Sequence, residues 1–437
     1  MKKLFALFLS VGMAFGANAQ TNVKFEEYKL DNGLHVILHE DHTTPIVAVT
    51  VLYHVGAKNE KEGRTGFAHF FEHLMFEGSP NIDRGEYSKI VQQNGGALNA
   101  NTSFDRTFYY ELLPSNQFEL GLWLESERML QARVDQQGVE TQREVVKEEK
   151  RLRVDNRPYG SFMENMFANA YPNHPYEITP IGTMEDLNAA KIDDFADFYG
   201  TFYVPNNATL SIAGDISPKE AKILVEKYFG TIPMGTNEIP RPKPEVTLMA
   251  KEVVDTVYDN IQLPAIFYGY KIDKQGTPDA YALDMLTTLL SDGQSSRFHK
   301  SLVDEQQLGV AVQAFPFSLE DGGLFITLGI SNMGKEVSDL AAGIDTEVKN
   351  VRDELISEKE YQKVLNQLEN DFVSSNSTMA GIAESLANYH VYFGDANLIN
   401  TEIEKYRKVT REDMQRAAQK YLTEQNRVVL YYLPKQQ

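Results

Sequence analysis

The sequence predicts an α+β fold made of two homologous halves, and three observations carry that expectation. A run of strand and helix signals between residues 35 and 229 is repeated in similar order after residue 264. Residues 231–244 (TIPMGTNEIPRPKP) hold four prolines, which marks a linker. The segment DDFADFYGTFYVPNNATLSIAGD, from Asp193, parallels EDMQRAAQKYLTEQNRVVLYYLP, from Glu412, with helix, polar turn and closing strand in register. At 437 residues the chain is too long for one ordinary core. Duplication gives halves of about 200 residues each. The expected boundaries are 20–230 for the first half, 231–250 for the linker and 251–437 for the second half.

In chain order, HVILH and IVAVTVLYHV read as strands from their alternation and β-branched content, and residues 66–76 as a helix. Helical spacing returns at residues 84–94. RTFYYEL is strand-like, and residues 116–132 and 139–155 carry helical apolar spacing. A helix near Asp193 precedes the strand ATLSIAG and the helix over 218–229. After the linker come the strand AIFYGY, helices over 278–290 and 296–306, the strands VAVQAF and GLFITLGI, and long helices between 337 and 374.

Composition narrows the function. Hydrophobic residues make up 42% and charged residues 24%, the balance of a folded globular chain. Met1-Lys2-Lys3, an apolar run to Gly16 and Ala17-Asn18-Ala19 have the order of a secretory signal peptide over 1–19, cleaved after Ala19. That predicts a periplasmic or secreted protein with no stable membrane anchor. The formal net charge of −20, two units more negative once Lys2 and Lys3 are lost, argues against nucleic acid as a partner. With no cysteine in the chain, any metal must sit on His, Asp or Glu.

The segment HFFEHL, residues 69–74, carries the chemistry. Residues four apart share a helix face, so His69 and His73 can present two imidazoles to one cation. Glu72 falls beside the same site without being a ligand, where it can act as general base toward a water whose pKa zinc lowers to about 7. This is the inverted order H-x-x-E-H. A third ligand is needed. The acidic helix TQREVVKEEKRLR offers Glu144, Glu148 and Glu149, and spacing alone does not choose among them.

The runs LDNGLHVILHED, GFAHFFEHLMFEGS, GGALNANTSFDRTFYYELLP and QREVVKEEKRLR together resemble the pitrilysin family of inverted zincins, nearest the short bacterial members related to mitochondrial processing peptidase. The likeness extends from about Phe25 to the C-terminus and is densest in the first half. It implies mixed sheets packed by helices, two halves facing each other as a clamshell, and two such chains enclosing a chamber for peptide substrates. It also selects Glu149 as the third ligand of one Zn²⁺ per chain, with Gln142 at a supporting position where the family has Glu. Asn99, Ala100 and Thr102, in the segment GGALNANTS, are implied as the edge that pairs with the substrate backbone.

The second half departs from the pattern. Aligning Gly78 with Gly293 sets Asp284, Thr287 and Thr288 opposite His69, Glu72 and His73, so only the first half is expected to bind metal. Relatives that work as single chains or identical dimers carry an Arg and a Tyr in the second half, and here the matching positions are Val303 and Val310. Without those donors the oxyanion loses stabilisation commonly worth about 3 to 4 kcal/mol. The resemblance therefore implies a heterodimer with a related subunit lacking the zinc motif, in preference to a homodimer. The competing reading is a catalytically silent assembly subunit. His39 and His42 are expected as solvated loop histidines, His174 as a loop cap, and Arg297 as a structural residue.

Overall fold

The computed structural model describes residues 22–435, so the expected leader lies outside the described residues. The first sheet contains β1 (Glu26–Lys29), β2 (His35–Glu40), β3 (Ile46–Tyr53), β4 (Ala97–Thr102), β5 (Thr107–Pro114) and β6 (Ala208–Gly214), in the order β1-β2-β6-β3-β5-β4. The second contains β7 (Val253–Asp259), β8 (Ala265–Ile272), β9 (Gly309–Ser318), β10 (Gly323–Ser331) and β11 (Arg427–Pro434), in the order β7-β11-β8-β10-β9. In each sheet the last strand of its half inserts parallel to the first of the shared strands and antiparallel to the next: β6 between β2 and β3, β11 between β7 and β8. The topology is thus duplicated, with β1 as an addition. This is the α+β arrangement of two mixed sheets packed by helices that the sequence led us to expect.

The first half adds α1 (Phe67–Leu74), α2 (Tyr87–Gln93), α3 (Phe118–Gln131), α4 (Gln136–Lys150), α5 (Phe162–Ala170), α6 (Met184–Ala189), α7 (Ile192–Phe202) and α8 (Pro218–Phe229). The second adds α9 (Pro278–Ser291), α10 (Val337–Asp353), α11 (Glu358–Ser375), α12 (Met379–Phe393), α13 (Leu398–Thr401), α14 (Ile403–Lys408) and α15 (Arg411–Tyr421). Residues 337–374 are therefore two helices, because Ser357 and Glu360 form a capping box that starts α11. The repeated helix–turn–strand unit keeps even its buried amide. Asn207 Nδ2 donates to Phe202 O at 2.8 Å and His54 O at 3.4 Å. Asn426 Nδ2 donates to Tyr421 O and Lys271 O, both at 2.8 Å.

Central strands β3 and β6 are buried along almost their whole length, so both faces of the sheet need cover. Alternate residues divide accordingly. Val47, Val49, Val51 and Tyr53 enter the core beneath the half's own helices, among them α1, α3, α7 and α8. Ala48, Ile37 and Ala213 instead meet Met379, Ile382, Ala383 and Leu386 of α12, a helix of the second half. The second sheet does the converse. Ile266, Tyr268 and Tyr270 face their own helices, while Ala265, Phe267, Val428 and Leu430 meet Met166, Phe167 and Ala170 of α5, from the first half. Helices α5 and α12 hold equivalent places in the two repeats, so the halves exchange them reciprocally. Gly269 on β8 leaves the room this needs: a Cβ there would lie 2.2 Å from Met166 Sδ.

A buried ion cluster also ties the halves together. Lys58, 3% exposed in its side chain, has its Nζ 2.6 Å from Glu320, 3.1 Å from Asp321 and 3.2 Å from Asp105. His54 Nε2 lies 2.9 Å from Glu320, and Tyr176 donates its hydroxyl to Asp105 at 2.8 Å. Removing the lone lysine leaves carboxylates without their counter-charge, which in buried sites costs about 3 to 5 kcal/mol. Lys58→Met is accordingly expected to lower the urea unfolding midpoint markedly, and an unchanged midpoint would show that the cluster is not a tie.

Candidate metal centre

Helix α1 is amphipathic in the way its sequence suggests. Phe67, Phe70, Phe71 and Leu74 are buried, whereas His69, Glu72 and His73 are part-exposed on the other face. Phe67 and Phe70 each pack on Phe195 of α7 with ring centroids 4.6 Å apart, and Phe71 stacks on Phe198 at 5.4 Å. At the N-terminus Gly66 takes φ +86°, where a Cβ would meet Ile181 O at 2.9 Å. It has no side chain to cap the helix, and Glu60 does so instead, accepting from Gly66 N and Ala68 N at 2.8 Å each. Burial pushes the Glu60 carboxyl up to about 8. Beneath the helix, Tyr109 donates to Phe71 O at 3.2 Å, and the buried Arg128 guanidinium is surrounded by Phe76, Tyr87 and Tyr109 at 4.8, 4.6 and 4.3 Å.

Helix α4 brings the third group. Of the three acidic candidates, Glu144 pairs with Lys147 and Glu148 with Arg151, both facing outward. Glu149 alone turns to the histidines. Its Oε2 lies 3.2 Å from His73 Nε2 and 3.6 Å from His69 Nε2. Zinc held tetrahedrally by N and O ligands at about 2.0 to 2.1 Å keeps them about 3.3 Å apart, so these separations fit the ion. Burial, reinforced by His73, pushes the His69 imidazole down to about 4, which keeps it in the neutral form a metal needs. The hydrogen bond from His73 holds Glu149 below the usual carboxylate range. Buried His69 Nδ1 finds no hydrogen-bond partner among the described residues.

Glu72 stands beside this set without belonging to it. Thr102, at the end of β4, donates its hydroxyl to Glu72 Oε2 at 2.6 Å. Burial raises the Glu72 carboxyl, and that hydrogen bond works against the rise. The other two substrate candidates lie on the same strand: Asn99 is exposed opposite Tyr110, and Ala100 is half-buried opposite Tyr109. Strand β4 is the sheet edge, and among the described residues no strand pairs with its outer side. Gln142 touches neither histidine nor Glu149 in the hydrogen bonds it makes; its amide donates to Glu77 Oε1 at 2.6 Å, and Arg84 pairs with the other oxygen of Glu77. A negative charge is thus present beside Gln142, supplied by Glu77.

Sequence reading passed over Glu77 and also Arg153, whose Nη1 lies 2.6 Å from Glu149 Oε1. The spacing of four between Glu149 and Arg153 on a helical run was the available signal. His39 departs from the loop expectation: it is buried on β2 with Nδ1 2.7 Å from Lys24 O. His42 is exposed between Asp215 and Glu40, so the two do not converge. His174 Nδ1 accepts from Tyr176 N at 3.0 Å, and Arg297 pairs with Glu360 at 2.9 Å. In the second half Asp284 accepts from Tyr406 at 2.9 Å, while Thr287 and Thr288 bond back to Asp284 O. Val303 packs on the second core and Val310 is 49% exposed on β9.

Two imidazoles and the Glu149 carboxylate thus converge beside the Glu72 carboxylate on a duplicated α+β frame, an arrangement with the donor types of a metal site. Residues 35–184 match the family described as Insulinase (Peptidase family M16), and residues 189–368 match the Peptidase M16 inactive domain. The zinc protease PqqE of Helicobacter pylori is 30% identical over 99% of both chains. The uncharacterized zinc protease YmxG of Bacillus subtilis is 24% identical, covering 81% of this chain and 86% of its own. The crystal structure of a protease from Helicobacter pylori superimposes with a TM-score of 0.90 at 29% identity, over 94% of this chain and 100% of that one. The periplasmic protease PqqL from Escherichia coli shares the fold, with a TM-score of 0.77 at 19% identity over 94% of this chain and 47% of its own. This chain belongs to peptidase family M16, among its short, zinc-protease-like members.

With the native imidazole of His69 titrating near 4 and its unfolded counterpart near 6.5, the unfolded chain binds more protons between those values. The contribution of His69 to the stability of the metal-free protein should therefore be complete above pH 6.5 and be lost as pH drops toward 4. Thermal midpoints measured against pH in a chelator check this. His69→Gln should remove one group's share of the slope in that window, beside the shares of His174 and His390, and an unaltered slope would contradict the assignment.

Proposed function

We propose that the chain is a zinc-dependent endopeptidase acting on peptides or unfolded polypeptides, with His69, His73 and Glu149 holding one Zn²⁺ and Glu72 as general base. The observation that carries this reading is the convergence of three ligand atoms within 4.8 Å of one another, next to a carboxylate already engaged by Thr102. Zinc bound there would lower the pKa of a water and polarise the scissile carbonyl. Glu72 would take a proton from the attacking water as its oxygen bonds to the scissile carbonyl carbon, and would hand that proton to the leaving amine as the C–N bond breaks. Its burial-raised affinity for a proton suits both steps. Asn99 and Ala100 offer backbone groups along the free edge of β4 for an extended substrate. Because Thr102 terminates the same strand, one element sets both the substrate backbone and the base.

A periplasmic or secreted site of action accords with the leader-like residues 1–19 and with the periplasmic relative PqqL. No helix among the described residues is long and apolar enough to cross a membrane.

The partner in this reading is a related subunit without the zinc motif. Support comes from Val303 and Val310, which can donate no hydrogen bond to an oxyanion, and from the absence of a metal set on α9. The chain also covers 92% of the first half of PqqL but 47% of the whole, so in that protein a comparable length of chain follows such a unit.

Replacement of Glu72 by Gln should leave zinc content at one equivalent in this site while abolishing cleavage of an unfolded peptide. A silent assembly subunit would instead show no cleavage in the wild type under any pairing. For the partner, the purified zinc-loaded chain is expected to be nearly inactive alone and to gain about 10² to 10³-fold in kcat when paired, the effect of restoring an oxyanion donor. Full activity of the lone chain would refute the heterodimer.

A further inference from the structure

On the opposite face of the first sheet from α1, three other side chains meet. His35 on β2 and Glu27 on β1 are diagonal cross-strand neighbours, since Lys29 pairs with His35 and Glu27 lies two residues before it on the same face. Alternation places His35 with Ile37, and Ile37 packs against α12. Helix α12 presents Ala383 and Leu386 to that face, and His390 continues the same stripe one turn on. His35 Nε2 lies 3.1 Å from Glu27 Oε2, and His390 Nδ1 lies 4.0 Å from the same oxygen. The two imidazoles stack with centroids 3.5 Å apart and 4° between their planes. All three donor atoms fall within 4.8 Å of one another, and among the described residues only this group and the His69, His73, Glu149 set do so.

We infer that Glu27, His35 and His390 form a second site for a divalent cation of the zinc class, distinct from the proposed catalytic one, that fastens the β1–β2 edge to the exchanged helix α12. Two imidazoles and one carboxylate suit Zn²⁺ among biological cations. The 3.1 and 4.0 Å separations bracket the spacing of about 3.3 Å that tetrahedral coordination requires. Parallel rings do not aim their lone pairs at one point, so binding tilts the imidazoles apart about χ2, a soft torsion for His. Side-chain exposures of 17% for His35, 28% for His390 and 45% for Glu27 leave the fourth position to water. A simple ion pair would occupy one imidazole; here two are turned to one carboxylate, and they come from different halves of the chain.

The test uses the full-length chain carrying His69→Ala and His73→Ala, which removes the first metal set and makes the result independent of the peptidase reading. After equilibration with Zn²⁺ and gel filtration, elemental analysis should find one zinc per chain, and Zn²⁺ should raise the thermal midpoint. Adding His390→Asn should remove both the zinc and the shift. Glu27→Gln, on an exposed strand, should weaken binding without altering the metal-free midpoint, and it serves if His390→Asn fails to fold. A chain without His69 and His73 that retains no zinc, or a zinc content untouched by both further substitutions, would overturn the proposal. In the otherwise native chain, loss of one zinc with His390→Asn and of the other with His69→Ala separates the two sites.

Discussion

Each sheet of this protein is apolar on both faces, while each half carries most of its helices on one. Strand β3 shows the problem in miniature: Val47, Val49 and Val51 are covered by local helices, but Ala48 and Leu52 are equally buried on the other side. The solution is reciprocal, with α12 covering the first sheet and α5 the second. The first sheet is covered on both faces only once α12 has crossed, and the second only once α5 has, so each repeat depends on the other for its cover. The ion cluster around Lys58 sits on the same junction and adds charge pairing to apolar contact.

That junction leaves the local-helix face of the first sheet free to build the candidate metal centre. An eight-residue helix is too short to be stable by itself. Here Glu60 satisfies its N-terminal amides, three phenylalanines anchor it to α7, and Tyr109 fixes the carbonyl of Phe71. Buried Glu60 and Arg128 are costly groups to remove from water, and their use next to α1 matches the need to hold His69, Glu72 and His73 in one geometry. Glu149 arrives from α4 and Thr102 from β4, so the site is assembled from three elements.

The duplicated frame makes the asymmetry of chemistry plain. Helix α9 occupies in the second half the place of α1 in the first, yet its corresponding positions hold Asp284, bound to Tyr406, and two threonines that bond to their own helix. Both halves keep the fold, and only the first keeps the proposed ligand set. Relatives named zinc proteases and a second-half match to a domain described as inactive fit this division.

Much of this was legible in the residues. Period two and period 3.6 placed most strands and helices, the spacing of His69, Glu72 and His73 gave a shared face, and the repeated helix–turn–strand unit revealed the duplication, because these are local regularities of backbone geometry. Choosing Glu149 over Glu144 and Glu148 needed family resemblance, since all three are acidic positions on one helix and only tertiary packing turns one of them toward the imidazoles. The helices α5 and α12 escaped the sequence reading altogether; each is buried against the sheet of the other repeat, and nothing local says which sheet a helix will cover. Thr102 was expected to touch substrate, and the fold aims its hydroxyl at Glu72. Sequence by itself determined most of the elements, the repeat and the shared helix face of His69, Glu72 and His73, which depend on neighbours in the chain. Only the tertiary structure decided the helix exchange, the orientation of Glu149 and the meeting of Glu27, His35 and His390, because those depend on which distant faces must be buried together.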